Sequence, residues 1–551
     1  MKRFFDKYAD IISFSGLCLL CYIIFIHLLG SYPLLDADET RYADMARTMF
    51  HSGNYITPML DGKIFWDKPP LYFWIECLSF SLFKVCNEFT VRLPNVLCAM
   101  SSAFGLFFIG RKLISRKFGL IASLILITSV EYVIFAKVTI LDMSFVTFIT
   151  LSTLCGFVTY FVSEVRKKYW WWAFYVFSAL AVMVKGAPGL VIPFGTMFFI
   201  GLWKKNLKEF FKLSYIIPGM LLFCLIALPW HIIMYKTYGS EFIHEYIIKH
   251  HFMRFLGSKE IGREHGLLYY IPVFLVGFLP WTMSLVFAFC DVMKNRKKLN
   301  INHFILMCTI GGVFTFLFFS FAKTKLVTYI LPVYSFAAVL TGYVWYQYIE
   351  NDLFKNAVKI SVYVTNIAFI VVGAAVALMQ FFLPAALYSD VKALQIPLSL
   401  LFIICGILGL WALNKKKKQL VFTSYILVSL LLAGYCFPQF FNTWYKFGQN
   451  DLMKYANYAR ENNLKLAAVS IWERYSLQYY YANDVLYYKF PEEKDSLYVQ
   501  TTDLTDSLGD YAAIIEHKKL KDLDKRNIPY SVIFTGVRYD LVISPNKKKT
   551  D

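Results

Sequence analysis

A chain of 551 residues with 58% hydrophobic and 19% aromatic content exceeds the roughly 45–50% apolar usage of ordinary globular domains, which excludes a single soluble enzyme. Its formal charge of +19 would suit a nucleic-acid binder, but forty basic and twenty-two acidic residues lie in the first 440, against sixteen and fifteen in the remainder. The cationic excess therefore belongs to the apolar part, where it sets orientation in a membrane rather than gripping a phosphodiester, and no nucleic-acid partner is expected.

A helix needs about 18–25 apolar residues to cross a bilayer, because nothing in hydrocarbon satisfies stray backbone groups. Thirteen candidate spans follow in chain order: 11–30, 93–113, 117–136, 142–163, 170–185, 187–203, 214–234, 267–289, 303–321, 326–348, 357–383, 396–413 and 419–440. The first is as long as a spanning helix and no small-residue cleavage pattern follows it, so it reads as a span rather than a cleaved leader. A shorter apolar piece at 71–86 reads as an interfacial helix or a partial insertion. Basic clusters at Lys2/Arg3/Lys7, Arg111/Lys112/Arg116/Lys117, Arg166/Lys167/Lys168, Lys204/Lys205/Lys208/Lys212, Lys294/Arg296/Lys297/Lys298 and Lys415–Lys418 fall on one side. The positive-inside rule makes that side the cytoplasm. The opposite face then receives the loops 31–92 and 235–266, the short turns near 137–141, 185–187 and 323–325, and, with an odd number of spans, the tail.

The fold expected is thus an α-helical polytopic membrane core over 1–440 followed by an extracytoplasmic α/β domain over 441–551. In the tail, Lys465–Ile471, Asp484–Phe490, Tyr511–Glu516 and Tyr530–Phe534 are strand-like, and 450–462 and 472–482 are helical. The tail carries no Gly-rich phosphate loop or metal-ligand spacing and reads as a cap on the core. The eleven cysteines lie in or beside apolar stretches with no C-x-x-C pair, which suits small core hydrophobes rather than disulfides or metal ligands. No internal repeat is visible.

Charged residues near lipid are costly, about 2.5–3.5 kcal/mol each at mid-membrane, so those on the outer face are informative. Leu35-Asp36-Ala37-Asp38-Glu39-Thr40-Arg41-Tyr42-Ala43-Asp44 follows the first span. Its acids can serve as helix-start caps, or Asp38 and Glu39 can accept a proton from an acceptor hydroxyl at the water–lipid boundary, with Arg41 and Tyr42 as substrate contacts. In Phe65-Trp66-Asp67-Lys68-Pro69-Pro70-Leu71 the prolines fix the backbone, so Lys68 is aimed. Ala136-Lys137-Val138-Thr139-Ile140-Leu141-Asp142 places Asp142 at the mouth of a span, where it is functional or paired. Lys249-His250-His251-Phe252-Met253-Arg254-Phe255 offers Arg254 for bidentate phosphate recognition. Lys185 sits in a tight turn, and the pair Lys323/Lys325 in a turn too short to need them for solubility. Cations at the membrane surface around a few carboxylates are what a lipid-linked phosphate requires.

The run Asp38-Glu39-Thr40-Arg41-Tyr42-Ala43, then Asp67-Lys68-Pro69-Pro70, Val91-Arg92-Leu93-Pro94, Asp142, His251-Phe252-Met253-Arg254-Phe255, and Lys323-Thr324-Lys325 with Tyr329-Ile330-Leu331-Pro332 resembles the bacterial aminoarabinose lipid A transferases. More broadly it resembles the dolichyl-phosphate-mannose–protein mannosyltransferase superfamily of GT-C glycosyltransferases. The match runs in order through the first 340 residues, while the tail resembles the family only as an extracytoplasmic α/β domain. The resemblance implies an inner-membrane glycosyltransferase with thirteen spans, taking a sugar from a polyprenyl (undecaprenyl) phosphate on the periplasmic side. It implies Asp38 as principal catalytic carboxylate, Asp142 as a substrate-binding or assisting acid, and Lys68, Arg254 and Tyr329 as holders of the carrier phosphate. Asp67 and His251 match positions that in some relatives can hold a divalent ion, zinc or magnesium; Asp67 stands where the motif more usually has glutamate. Val327 stands where the motif usually has proline.

The expected reaction is attack by an acceptor oxygen on the anomeric carbon, with departure of the phosphate and inversion. The expected acceptor is lipid A; the alternatives are Ser/Thr of a secreted protein or another surface glycan. A transporter of polyprenyl-linked substrates would need ionisable residues within the spans and related halves, and a membrane scaffold would leave the outer cations unexplained.

Overall fold

The structure, a computed structural model, describes residues 2–207, 212–257, 264–295, 302–382, 385–471, 475–483, 485–490, 501–504, 508 and 510–545. Lys208, Arg296, Lys297, Lys298, residues 472–474 and Asp484, which figure in the expectations above, lie outside them. The chain forms two compact units: Met1–Leu29, Trp66–Ile75 and Arg92–Pro438 make the first, and Gly30–Phe65, Glu76–Val91 and Gln439–Asp551 the second.

The first unit is helical. Among the described residues eight helices are long and apolar enough to cross a membrane, and ten spans result if each of two bent pairs counts as one. The other three expected spans correspond to Glu164–Lys185, Pro188–Trp203 and Pro332–Asn351. Pro188–Trp203 has only 16 residues, and the other two are rich in Trp, Tyr and polar side chains. Burial sorts the helices: Leu141–Val158 has 89% of its apolar window inside the protein, and Leu213–Tyr238 only 17%. The first is therefore a core helix and the second presents its apolar face outward. Leu141–Val158 bonds its neighbours through hydroxyls, with Thr147 to Ser102 at 3.0 Å, Thr150 to Ser335 at 2.7 Å and Ser152 to Ser178 at 2.8 Å. Such pairs substitute in lipid for the hydrophobic drive that water would supply.

The bent pairs are Arg116–Ile127 with Val130–Ala136, at 69°, and Leu267–Gly277 with Thr282–Val292, at 114°. A break inside an apolar layer strands carbonyls and amides, and side chains answer for them here. Thr128 and Ser129 donate back to the Leu124 and Ile125 carbonyls, and Thr282 donates to the Leu275 carbonyl at 2.7 Å. The two breaks meet: the Val130 amide donates to the Leu279 carbonyl at 3.1 Å and the Trp281 indole to Thr128 Oγ1 at 3.0 Å. The first break turns the chain into the segment that ends at Lys137.

The second unit joins the tail to Gly30–Phe65 and Glu76–Val91. Helix Asp38–Ser52 ends at Gly53, whose φ of 69° closes the last turn with its N–H donating to the Met49 carbonyl. A short hairpin follows, β1 (Met59–Leu60) with β2 (Lys63–Ile64). The tail holds β3 (Lys465–Val469), β4 (Leu486–Lys489), β5 (Thr501–Asp503), β6 (Tyr511–Glu516), β7 (Ser531–Thr535) and β8 (Tyr539–Ile543) in the order β5-β4-β3-β6-β8-β7. β3 runs parallel to β4 and β6, and β8 runs antiparallel to β6 and β7. Its core is Ala467, Val469, Ala513, Ile515, Leu523 and Val542 with their neighbours. Four strands match the expected stretches within a few residues. β5 and β8 escaped the pattern reading: β5 has only three residues, and β8 is buried at every position, so neither alternates.

Candidate active site

In the first unit, helices Leu141–Val158 and Glu164–Lys185 are joined by five residues and so lie antiparallel, which brings the start of one beside the end of the other. Asp142 sits in the first turn and Lys185 in the last, each at the helix end whose dipole favours its charge. They form a buried ion pair, with 7% and 6% of their side chains exposed. The Lys185 ammonium also lies 4.0 Å from the centre of the Tyr329 ring, which ties the Val327–Ile330 turn to the same pair.

The Trp66–Pro70 segment supplies the next layer. Trp66 packs edge-on against Tyr238, the two prolines restrict the following backbone, and helix Leu71–Phe83 begins directly after. Lys68 is almost buried and donates to the Asp67 carbonyl at 3.0 Å. The wide-turn helix Ile243–Met253 runs into Arg254, so His250 and Arg254 approach Asp67 together. His250 Nε2 lies 2.8 Å from one carboxylate oxygen and Arg254 Nη1 3.4 Å from the other. Burial pushes the Asp67 carboxyl up, but the hydrogen bond from His250 and the charges of Lys68, His250 and Arg254 outweigh it and hold the group well below the usual carboxylate range. Burial likewise pushes the Lys68 ammonium down, to about 7, with Arg254 adding to the shift and Asp67 opposing it.

His251 is held by a different partner. Its Nδ1 lies 2.6 Å from the Tyr246 carbonyl, which can only accept, so Nδ1 carries the proton. Burial brings its pKa down to about 4 against that bond, so the ring is neutral at physiological pH. A Cβ at Gly186 would collide with this ring, and Gly186 has a φ of 76°; glycine there lets His251 lie over the turn after Lys185.

Lys68, Lys185, His250, His251, Arg254 and Tyr329 open on one cavity of about 610 Å³, whose remaining wall includes Val191, Phe252, Phe255, Leu256, Phe318 and Phe319. Cations grouped beside aliphatic and aromatic side chains match a phosphate that carries a long hydrocarbon.

The other expected cations are placed differently. Lys325 donates to the carbonyls of His265, at 3.1 Å, and Ala322. Lys137 donates to the Ala433 carbonyl at 2.9 Å. Lys323 is exposed, and its backbone bridges Phe255 and His265. His250 was missed from sequence; its signal was the spacing of four residues before Arg254. Asp67 meets His250 and Arg254 rather than His251, and among the described residues no three His, Cys, Asp or Glu side chains converge as metal ligands. A guanidinium and an imidazole occupy the faces of the Asp67 carboxylate that a divalent ion would need, so the pair Asp67 and His251 does not fit a metal centre here.

Asp38, Glu39, Arg41 and Tyr42 lie in the second unit, at the start of the Asp38–Ser52 helix. Asp38 pairs with Arg41 at 2.6 Å and keeps 44% of its side chain exposed. The Arg41 guanidinium stands 5.1 Å from the Tyr42 ring centre. Glu39 is buried, and its Oε2 accepts from the Leu35 amide at 2.8 Å. Glu39 therefore closes the turn, and Asp38 is the acid that meets solvent.

Residues 11–242 match the dolichyl-phosphate-mannose-protein mannosyltransferase family model. Across 57% of the chain, 32% of positions are identical to the undecaprenyl phosphate-alpha-4-amino-4-deoxy-L-arabinose arabinosyl transferase 2 of Proteus mirabilis, and the match covers 56% of that relative, so the chain spans little more than half its length. The corresponding transferase of Photorhabdus laumondii is 29% identical over 76% of this chain and 74% of its own. The crystal structure of ArnT from Cupriavidus metallidurans bound to undecaprenyl phosphate superposes with a TM-score of 0.79 over 97% of both chains, at 18% identity. The fold is that of ArnT. The apolar helices described above agree with a multi-pass membrane fold.

Proposed function

We propose that this protein is an inner-membrane glycosyltransferase that moves a sugar, of the aminoarabinose class, from undecaprenyl phosphate to lipid A on the periplasmic side. The observation that carries the reading is the cavity in which Lys68, Arg254 and Lys185 stand beside an apolar wall. Its support is the likeness to ArnT and to the arabinosyl transferases.

An acceptor oxygen attacks the anomeric carbon, the bond from that carbon to the carrier phosphate breaks, and polyprenyl phosphate leaves with the electron pair. Charge grows on the phosphate as the bond breaks, so Lys68 and Arg254 hold the transition state more tightly than the ground state. Lys185, fixed by Asp142 and stacked on Tyr329, sets the floor of that cationic cradle. The role of Asp38 follows from the acceptor. A hydroxyl would transfer its proton to Asp38, whereas a lipid A phosphate, already ionised, would be oriented through the Asp38–Arg41 pair.

The test is mass spectrometry of lipid A from cells lacking the gene and complemented with wild type, Asp38→Asn or Arg254→Ala. A pentosamine-sized addition that returns only with wild type is the expected result. Lipid A unchanged by the deletion would refute this acceptor.

A further inference from the structure

Resting on the reading of Asp38 above, we infer that Ser476, 440 residues further along the chain, is a positioning residue for the reaction, acting through Asp36. Asp36 lies two residues before Asp38. Its Oδ1 accepts from Thr40 Oγ1 at 2.6 Å and from the Ser476 amide at 2.9 Å, and its Oδ2 accepts from Ser476 Oγ at 2.5 Å. All three donors are neutral, so the carboxylate is held by direction and not by a counter-charge. Both of its oxygens are engaged, which fixes the plane of the group as well as its place.

Among the described residues, three such contacts link residues 34–47 to the short helix Tyr475–Tyr481, this clamp among them. At one side of it, the Tyr480 hydroxyl accepts from the Leu34 amide at 2.9 Å and donates to Glu88 at 3.0 Å. At the other, Arg47 donates to the carbonyls of Tyr479 and Gln478 at 2.6 and 3.0 Å while paired with Asp44 at 2.5 Å. Leu34, Asp36 and Arg47 bracket Asp38. The Asp38 side chain itself is 44% exposed and meets Arg41, so the backbone course through 34–38 determines where its carboxylate stands. A segment from the tail sets that course. The tail is thereby part of the apparatus that aims the acidic turn. A misplacement of about 1 Å can cost on the order of 10²-fold in rate with little change in binding.

The experiment measures turnover per folded enzyme, and KM for the polyprenyl-phosphate sugar, in the full-length protein with Asp36→Ala, Ser476→Ala, Ser476→Thr and Asp38→Asn. Expected are a fall in kcat of about tenfold or more for Asp36→Ala and severalfold for Ser476→Ala, a KM within about twofold of wild type, and recovery of kcat in Ser476→Thr. If Asp36→Ala does not fold, the Ser476 pair decides. Loss in Asp38→Asn together with wild-type kcat in Ser476→Ala overturns the positioning role and leaves the reading of Asp38 intact. Full turnover in Asp38→Asn overturns that reading and the positioning with it.

Discussion

Asp67 shows how a buried charge becomes a placement device. Alone it would be costly, but with His250 and Arg254 on its two oxygens it orients the two side chains that face the cavity. Removing it leaves Arg254 without that support, so Asp67→Ala should raise KM for the carrier sugar about tenfold, measured with purified enzyme. Lys68 brings a pH dependence. Its depressed pKa of about 7 means that it is charged below that value and neutral above it, so carrier affinity should be greatest on the acid side and fall as pH rises through about 7. Titrating KM for the donor from pH 6 to 9 checks this, and Lys68→Arg should flatten the profile because a guanidinium stays charged.

Two local devices each depend on a single residue. Gly186 lets the chain turn after Lys185 beneath His251. In Gly186→Ala the added methyl meets that ring in a backbone region that L-residues avoid, and a loss of about 1–3 kcal/mol in stability with weakened carrier binding is expected from thermal unfolding and binding in detergent. The bent pairs of helices carry the second device. Thr128 receives the Trp281 indole where the two breaks touch. Thr128→Val keeps the shape but leaves a buried N–H without its acceptor, so the melting temperature should fall by an amount equivalent to about 1–3 kcal/mol.

The two units are not two successive lengths of chain. The second takes its first helix from residues 38–52 and its sheet from the tail, and Tyr475–Tyr481 packs on that first helix. A chain ended at Pro438 should therefore deprive the acidic turn of the segment that holds it. No turnover above background is expected from such a truncation in membranes that still contain the protein by immunoblot.

Composition and apolar run length were enough to read a polytopic membrane protein, since a backbone in lipid has few solutions, and motif order was enough to indicate the family resemblance. Local pattern singled out Asp38, Lys68, Asp142 and Arg254 because cations and acids at the edges of apolar runs stand out, and the family resemblance added Tyr329. It could not decide which of the lysines face a cavity: Lys137 and Lys325 bond carbonyls, whereas Lys68 and Lys185 open on the 610 Å³ space, and a side chain's direction is set by neighbours far away in sequence. The same holds for His250 over His251 at Asp67, where one residue of helical phase separates them. It holds most for Asp36 and Ser476, whose bond spans 440 positions. Spacing along a chain carries no information about such a pair; only the packing of the tail against residues 34–47 brings the two together.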